Sequence, residues 1–388
     1  MKIAILGASK PHLPLYLKAK EMGLEIYCIA WAKNAYCRDY ADHYCDISIV
    51  DKEAVTELCK REKIDGIVAN ALEPAVLTLA YVSRQCGFNG ISYKAALKAI
   101  NKKEMRLCVQ KTNACPQPNF HIISYSRAED SISIGDELTK YPVIVKPTDS
   151  CASNGITKVN NKEEFAAAYS RAIDVSTSKE ILVEEYIDGR EVSVESISYH
   201  GKHYVLTITD KETSGAPYFV ETAHHQPSNL DEDIQHEIKV YVINILNALG
   251  IDNTASHAEF KIDKFGNVYF IEIGARGGGD FISYNLVNLS TGYDFIKGII
   301  EVALDIFKVP TCDSIVYNGY VYNKKFSGVY YLSKDTFYIK DFIEKNKDQD
   351  WVIDYEIEDK PLKSLRKSQD RTGYIIYFSD HKITLDED

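Results

Sequence analysis

The first ninety residues alternate short apolar runs with stretches of helical periodicity, a pattern that calls for a parallel sheet with crossover helices. Residues 3–6 read as a buried strand and Gly7-Ala8-Ser9 as the turn after it. Residues 13–22 read as a helix ended by Gly23, and residues 25–30 as a second strand. Asp51 is placed to cap the next helix, whose Ala54, Val55, Leu58 and Cys59 share one face, and residues 64–69 return to the sheet. The turn after the first strand lacks G-x-G-x-x-G, which argues against a dinucleotide site there.

This Rossmann-like unit is not the whole protein. At about 150 residues per domain, 388 residues divide into two or three. Pro116 and Pro118 break any helix between Asn113 and Asn119 and mark a boundary. Beyond it the pattern becomes α+β: strands over 143–145 and 156–159, a helix over 162–172, then strands over 181–187 and 191–198. A helix over 231–249 ends at Gly250. Strands over 256–262 and 268–273 follow, joined by Asp263-Lys264-Phe265-Gly266-Asn267. Past Pro310 the chain is rich in tyrosine and charge and reads as short strands with a closing helix.

A formal net charge of −11 argues against a nucleic-acid-binding surface. No run approaches 18 apolar residues, so no membrane span is expected. Nine cysteines without a C-x-x-C pair or zinc spacing fit a reducing, cytoplasmic setting.

Three segments carry chemistry. In the first, Lys146 ends an apolar strand and a loop of small residues follows, with Ser150, Ser153 and Gly155. Backbone N–H groups in such a loop can approach phosphate oxygens while the ammonium supplies the charge. In the second, Glu184-Glu185-Tyr186-Ile187-Asp188-Gly189-Arg190-Glu191, Glu191 shares a strand face with Ser193 and Glu195, opposite Val192 and Val194. A purine can bond to the backbone of such a connection while a carboxylate takes ribose hydroxyls. In the third, His257-Ala-Glu259 and Ile-Glu272-Ile-Gly274-Ala-Arg276-Gly277-Gly278-Gly279, the two glutamates fall opposite each other on adjacent strands, which costs energy unless a cation lies between them. Magnesium bound with nucleotide phosphates suits that donor set. Arg276 can clamp a phosphoryl or carboxylate group, and the glycines expose N–H groups to an anion.

In this order the three segments resemble the ATP-grasp superfamily, in its carboxylate–amine ligase branch, which includes carbamoyl-phosphate-synthase-like and L-amino acid ligase-like proteins; the likeness spans roughly residues 1 to 305. It implies α/β and α+β multidomain architecture. A Rossmann-like pre-ATP-grasp domain would occupy 1–94, an ATP-grasp domain 95–308 with a mobile lid at about 117–188, and a C-terminal subdomain 309–388. It implies that Lys102, with Lys103 as the adjacent competitor, and Lys146 contact ATP phosphates beneath a flap at 150–155. Glu184, Glu185, Tyr186 and Ile187 would hold adenine and Glu191 the ribose, while Glu259 and Glu272 bind one or two Mg2+ ions, or Mn2+. Arg276 would steady the transferring phosphate. Glu221, His224, His257 and Gly277, Gly278 and Gly279 would face the substrates, and His224, His225 and His257 are the candidate bases. The family often carries Asn where this chain has Gly274, so a second metal needs another ligand.

The implied reaction turns a small-molecule carboxylate into an acyl phosphate and then joins it to an amine, releasing ADP and phosphate; catalysis rests on positioning and charge, not on a protein nucleophile. Other readings of the same residues are a purine-pathway-type ligase or carboxylase and a non-catalytic ATP-binding regulatory protein. Relatives in this family are often homodimers.

Overall fold

The computed structural model describes residues 1–124, 140–150, 154–310, 315–317, 320–322 and 325–385. Cys151 and Ser153, and with them half of the expected flap at 150–155, lie outside the described residues.

The apolar runs near the N-terminus form a four-stranded parallel sheet of β1 (Lys2–Leu6), β2 (Glu25–Ile29), β3 (His43–Cys45) and β4 (Gly66–Val68), in the order β3-β2-β1-β4. Its helices begin and end where side chains dictate. Asp51 accepts a hydrogen bond from the Ala54 amide ahead of Lys52–Glu62, and Gly87 closes Val76–Cys86 in the left-handed conformation that glycine adopts at least cost.

A second sheet holds β5 (Phe120–Ser124), β6 (Val143–Pro147), β7 (Thr157–Val159) and β8 (Glu180–Glu185), antiparallel in the order β5-β8-β6-β7. The helix Lys162–Val175 covers it. Val145, Phe165, Ala168 and Ile181 give this unit a core of its own.

The third sheet has ten strands. Its main path runs β13 (Val268–Gly274), β12 (Thr254–Asp263), β9 (Gly189–Tyr199), β10 (Lys202–Thr213), β11 (Glu221–Gln226), β16 (Phe326–Leu332), β18 (Gly373–Ser379) and β17 (Val352–Ile357), with β14 (Ile315–Tyr317) and β15 (Tyr320–Tyr322) beside β10. One face packs on the helix Glu232–Leu249 through Val192, Val194, Phe260, Phe270, Val242 and Ile245. On the other side, Ile197 and Leu206 share a core with Ile3 and Ile5 through the helix Phe295–Ala303. Gly66 belongs to that junction, since a Cβ there would meet the Ala303 carbonyl oxygen at 2.5 Å.

One expectation is corrected. The C-terminal segment does not end in a helix: its helix, Tyr338–Asn346, lies between strands, and the last described element is β18, whose residues 373–379 pair with β16 along their whole length. These strands extend the central sheet beyond β11.

Candidate active site

The site grows from one face of the ten-stranded sheet. Strand alternation puts Glu191, Ser193 and Glu195 of β9 on the face opposite the buried Val192 and Val194. Register then carries that face across the sheet: Lys261, Glu191, Lys211 and His224 are direct partners on β12, β9, β10 and β11. One step along, Glu272, Glu259 and Ser193 line up in the same way. Directly opposed residues in antiparallel strands sit about 5 Å apart at Cβ, so these polar groups must interact.

They do so through cations. Lys211 Nζ lies 2.7 Å from Glu191, 3.0 Å from Glu259 and 3.9 Å from Glu221. Burial alone would push this ammonium down, but the three carboxylates outweigh it and hold Lys211 well above its ordinary value. Burial would likewise raise Glu259, yet Lys211 and His257 keep it well below the carboxylate range. Glu272, opposite Glu259, receives Lys102 Nζ at 3.3 Å and is lowered against the effect of burial. Its side chain keeps 34% of its surface exposed in the cleft.

Lys102 also donates to the Ser150 carbonyl at 2.7 Å. Lys103 instead points away, to Glu180 at 2.6 Å, so of the two competitors only Lys102 faces the acids. Lys146 on β6 is buried and contacts Glu184 at 2.5 Å, while Arg106 holds the other Glu184 oxygen at 2.5 Å and donates to the Ile271 carbonyl at 2.7 Å. Burial works against the Glu184 charge, but Arg106 and Lys146 bring its pKa down to about 2. Burial is also what lowers Lys146, against the opposing pull of Glu184. Glu184 therefore turns its side chain to a lysine and an arginine. In the same connection the Glu185 and Tyr186 amides donate to the Asn119 and Pro142 carbonyls at 2.9 and 3.2 Å. Tyr186 lies under two ammonium groups, Lys158 at 3.7 Å and Lys261 at 5.6 Å from its ring centre.

His257 is engaged at both ring nitrogens, by the fully buried Glu195 and, at 3.2 Å, by Glu259. Burial opposes its charge, but the two carboxylates raise it to about 9. His225 is enclosed between Tyr377, at 3.0 Å, and Glu212. His224 is 1% exposed, and its Nδ1 has no partner among the described residues.

The glycines after β13 allow close approach. A Cβ on Gly278 would meet Glu195 Oε1 and His257 Nδ1 at 2.7 Å, and one on Gly277 would meet Asn70 Oδ1 at 2.5 Å. In their place, the Gly278 amide donates to Glu195 at 2.9 Å and the Gly277 amide to Asn70 at 3.1 Å. Arg276 lies 3.5 Å from Glu73, and its Nε has no partner among the described residues, an orphan donor suited to an oxyanion. The Arg276 side chain lies 3.4 to 3.5 Å from where a Cβ on Gly274 would be, so a longer side chain at 274 would press on the arginine. Lys102, His257, Glu272, Gly274 and Arg276 line one small cavity with Glu73.

No group of three or more metal-ligating side chains occurs among the described residues. The two opposed carboxylates already carry ammonium groups, Lys102 on Glu272 and Lys211 on Glu259; as an oxygen-only pair they would fit Mg2+ where substrate phosphates supply the further ligands.

Sequence reasoning missed Arg106, Lys211, Glu195 as a partner for His257, Asn70, Asp280 and Arg371. The strand-face argument applied to Glu191 would have reached Lys211, and helical spacing from Lys102 would have reached Arg106. Arg371 carries no local signal.

An ATP-grasp domain family matches residues 139–284. Alanine–anticapsin ligase of Bacillus amyloliquefaciens is 27% identical over 356 positions, covering 77% of this chain and 73% of that protein. A formate-dependent phosphoribosylglycinamide formyltransferase of Ignicoccus hospitalis is 22% identical over 286 positions, covering 71% and 69%. Among solved structures, an L-amino acid ligase from Bacillus licheniformis superposes with a TM-score of 0.77 over 98% of this chain and 93% of that one, at 22% identity.

Proposed function

Since this chain is an ATP-grasp protein, we propose that it is an ADP-forming ligase that activates a small carboxylate as an acyl phosphate and joins it to an amine. The observation that carries this reading is the meeting of Lys102, Glu272, His257 and Arg276 around one cavity, with Glu259 opposite Glu272. We keep the domain limits at 94 and 308, with the lid over about 117–188.

In this reading ATP lies between the lid sheet and the ten-stranded sheet. Lys102 and Lys146 hold its phosphates, Glu191 takes the ribose, and the connection from Glu184 to Ile187 borders adenine. Glu184 acts through Lys146, fixing the ammonium where a phosphate oxygen can replace one of its contacts. Glu259 and Glu272 are the residues that would hold Mg2+; when bound, the ion neutralises charge on the nucleotide phosphates.

The substrate carboxylate attacks the γ-phosphorus and ADP leaves. The amine then attacks the acyl carbon and phosphate leaves, so the new amide costs one ATP. Arg276, with its unpartnered Nε, stabilises the oxygens on which charge moves. His257 is poorly suited to act as base, because two carboxylates keep its proton on at neutral pH. Of the three histidines, His224 is the one we retain for that role.

The test is ADP and phosphate release from Mg-ATP across a matrix of amino acids and other small carboxylates and amines, with mass spectrometry of the products. A new amide mass that requires both substrates is expected, and Glu272→Gln should lower turnover at least about a hundredfold. Full activity in that variant would count against the metal assignment.

A further inference from the structure

We propose that the Lys211 ammonium stands permanently where a second divalent ion would sit, so that this chain holds its nucleotide with one metal ion and not two. The inference deepens the ligase reading above and rests on its assignment of Glu259 and Glu272 as the metal acids.

Lys211 belongs to the floor of the site. It lies on β10, opposite Glu191 of β9 and His224 of β11. Its Nζ is 2.7 Å from Glu191, 3.0 Å from Glu259 and 3.9 Å from Glu221, so acids from β9, β12 and β11 converge on one ammonium. An ammonium has three N–H donors, and here three carboxylates face them. The lysine side chain is 5% exposed, against 19 to 25% for the three acids, so it sits beneath them and does not reach in from solvent. Glu191 is its direct cross-strand partner, and the sheet therefore fixes the contact.

The oxygens left over suffice for one ion. Lys211 and His257 both meet Glu259 through Oε1, at 3.0 and 3.2 Å, while Oε2 accepts no hydrogen bond among the described residues. Lys102 meets Glu272 through Oε2, at 3.3 Å. Each metal acid thus gives one oxygen to a cation of the chain and keeps the other for a metal, and the two acids face each other across β12 and β13. Mg2+ is commonly held by one or two carboxylates and completes its shell with phosphate oxygens and water, so this pair fills the protein's share for a single ion.

A second ion would need another donor. Residue 274 is a glycine and offers no side chain. Glu191 is taken on one oxygen by Lys211 and on the other by Lys261, at 3.6 Å, and Glu221 faces Lys211. An ion placed among Glu191, Glu221 and Glu259 would also lie against a positive charge that is tethered to the sheet and cannot diffuse away. The lysine already supplies the neutralisation for which these acids would otherwise recruit a metal.

The experiment counts the Mn2+ ions bound per full chain saturated with the non-hydrolysable analogue β,γ-imido-ATP, with free Mn2+ read by electron paramagnetic resonance. No acyl or amine substrate has to be known for it. Wild type is expected to hold one ion. Lys211→Met, of similar length but without the charge, should hold two once thermal melting has shown that it folds. Two ions in wild type, or one in folded Lys211→Met, would overturn the inference. If Lys211→Met does not fold, Lys211→Gln, which removes the charge but keeps a donor, serves in its place, and the wild-type count stands as a test without either. Glu272→Gln separates this inference from the ligase reading: it should weaken Mn2+ binding in the complex at least about tenfold, the loss that even an outer partner of a metal ligand can cause. Unchanged binding in that variant would bring down the metal assignment and this inference with it. A wild-type count of two that falls in Glu272→Gln would overturn this inference alone.

Discussion

Glu184 shows how one residue can look like one thing in sequence and act as another in the fold. In the run Glu184-Glu185-Tyr186-Ile187 it reads as part of a backbone connection beside a purine, and only burial between Arg106 and Lys146 exposes its electrostatic task. Its depressed pKa makes a prediction with a definite sign. The stabilisation it brings is complete above its ordinary value of 4.5 and is lost as pH falls towards about 2. Glu184→Gln leaves two buried cations without their counter-charge and should cost roughly 3–5 kcal/mol at pH 7. In melts from pH 7 to pH 3, the gap between wild type and variant should narrow only below about pH 4.5; a gap independent of pH would refute this assignment.

At the scale of elements, the turn after β13 carries the strongest constraint. Its glycines were legible in the sequence as backbone donors for an anion, but the structure commits two of those amides to Asn70 and Glu195. Gly277 is one point where the N-terminal unit touches the site, through Asn70, whose amide also donates to Ser283 at 2.8 Å. Gly277→Ala would press a methyl group against that side chain, so we expect a loss of about 1–3 kcal/mol in stability together with a raised substrate KM. Thermal melting and steady-state kinetics on one preparation decide it. The acids on β12 and β13 were more readable, because strand period two and a short turn nearly determine which residues oppose each other. The bulge after Glu259 was not, and it lets Glu259 face Glu272 while Phe260 faces Phe270.

For the molecule as a whole, the C-terminal strands complete the central sheet and anchor the site from behind. Ending the chain before Phe326 would uncover the β11 edge and strip Val329, Tyr331 and Ile376 from a shared core. Such a protein is expected to aggregate, read as loss of the native peak in size-exclusion chromatography. Lys10→Ala makes the contrast: it removes an exposed 3.2 Å bridge to Glu356 and should change stability by less than about 1 kcal/mol. Similar effects from the two changes would mean that these strands dock only loosely.

Local patterns therefore carried much of this protein. Apolar period, proline and glycine positions and strand alternation set the parallel N-terminal sheet, the caps, the opposed glutamates and the face shared by Glu191 and Glu195, since each depends on neighbours within a few residues or across one short turn. What the tertiary structure decided was which charges meet. Lys211 among three carboxylates, Arg106 and Lys146 on one glutamate, and Arg371 on Asp280 all join residues distant along the chain. Electrostatic partners at such separations are chosen by how sheets stack and strands order, and nothing in the local run of residues around Arg371 encodes that it will lie against Asp280, 91 residues away.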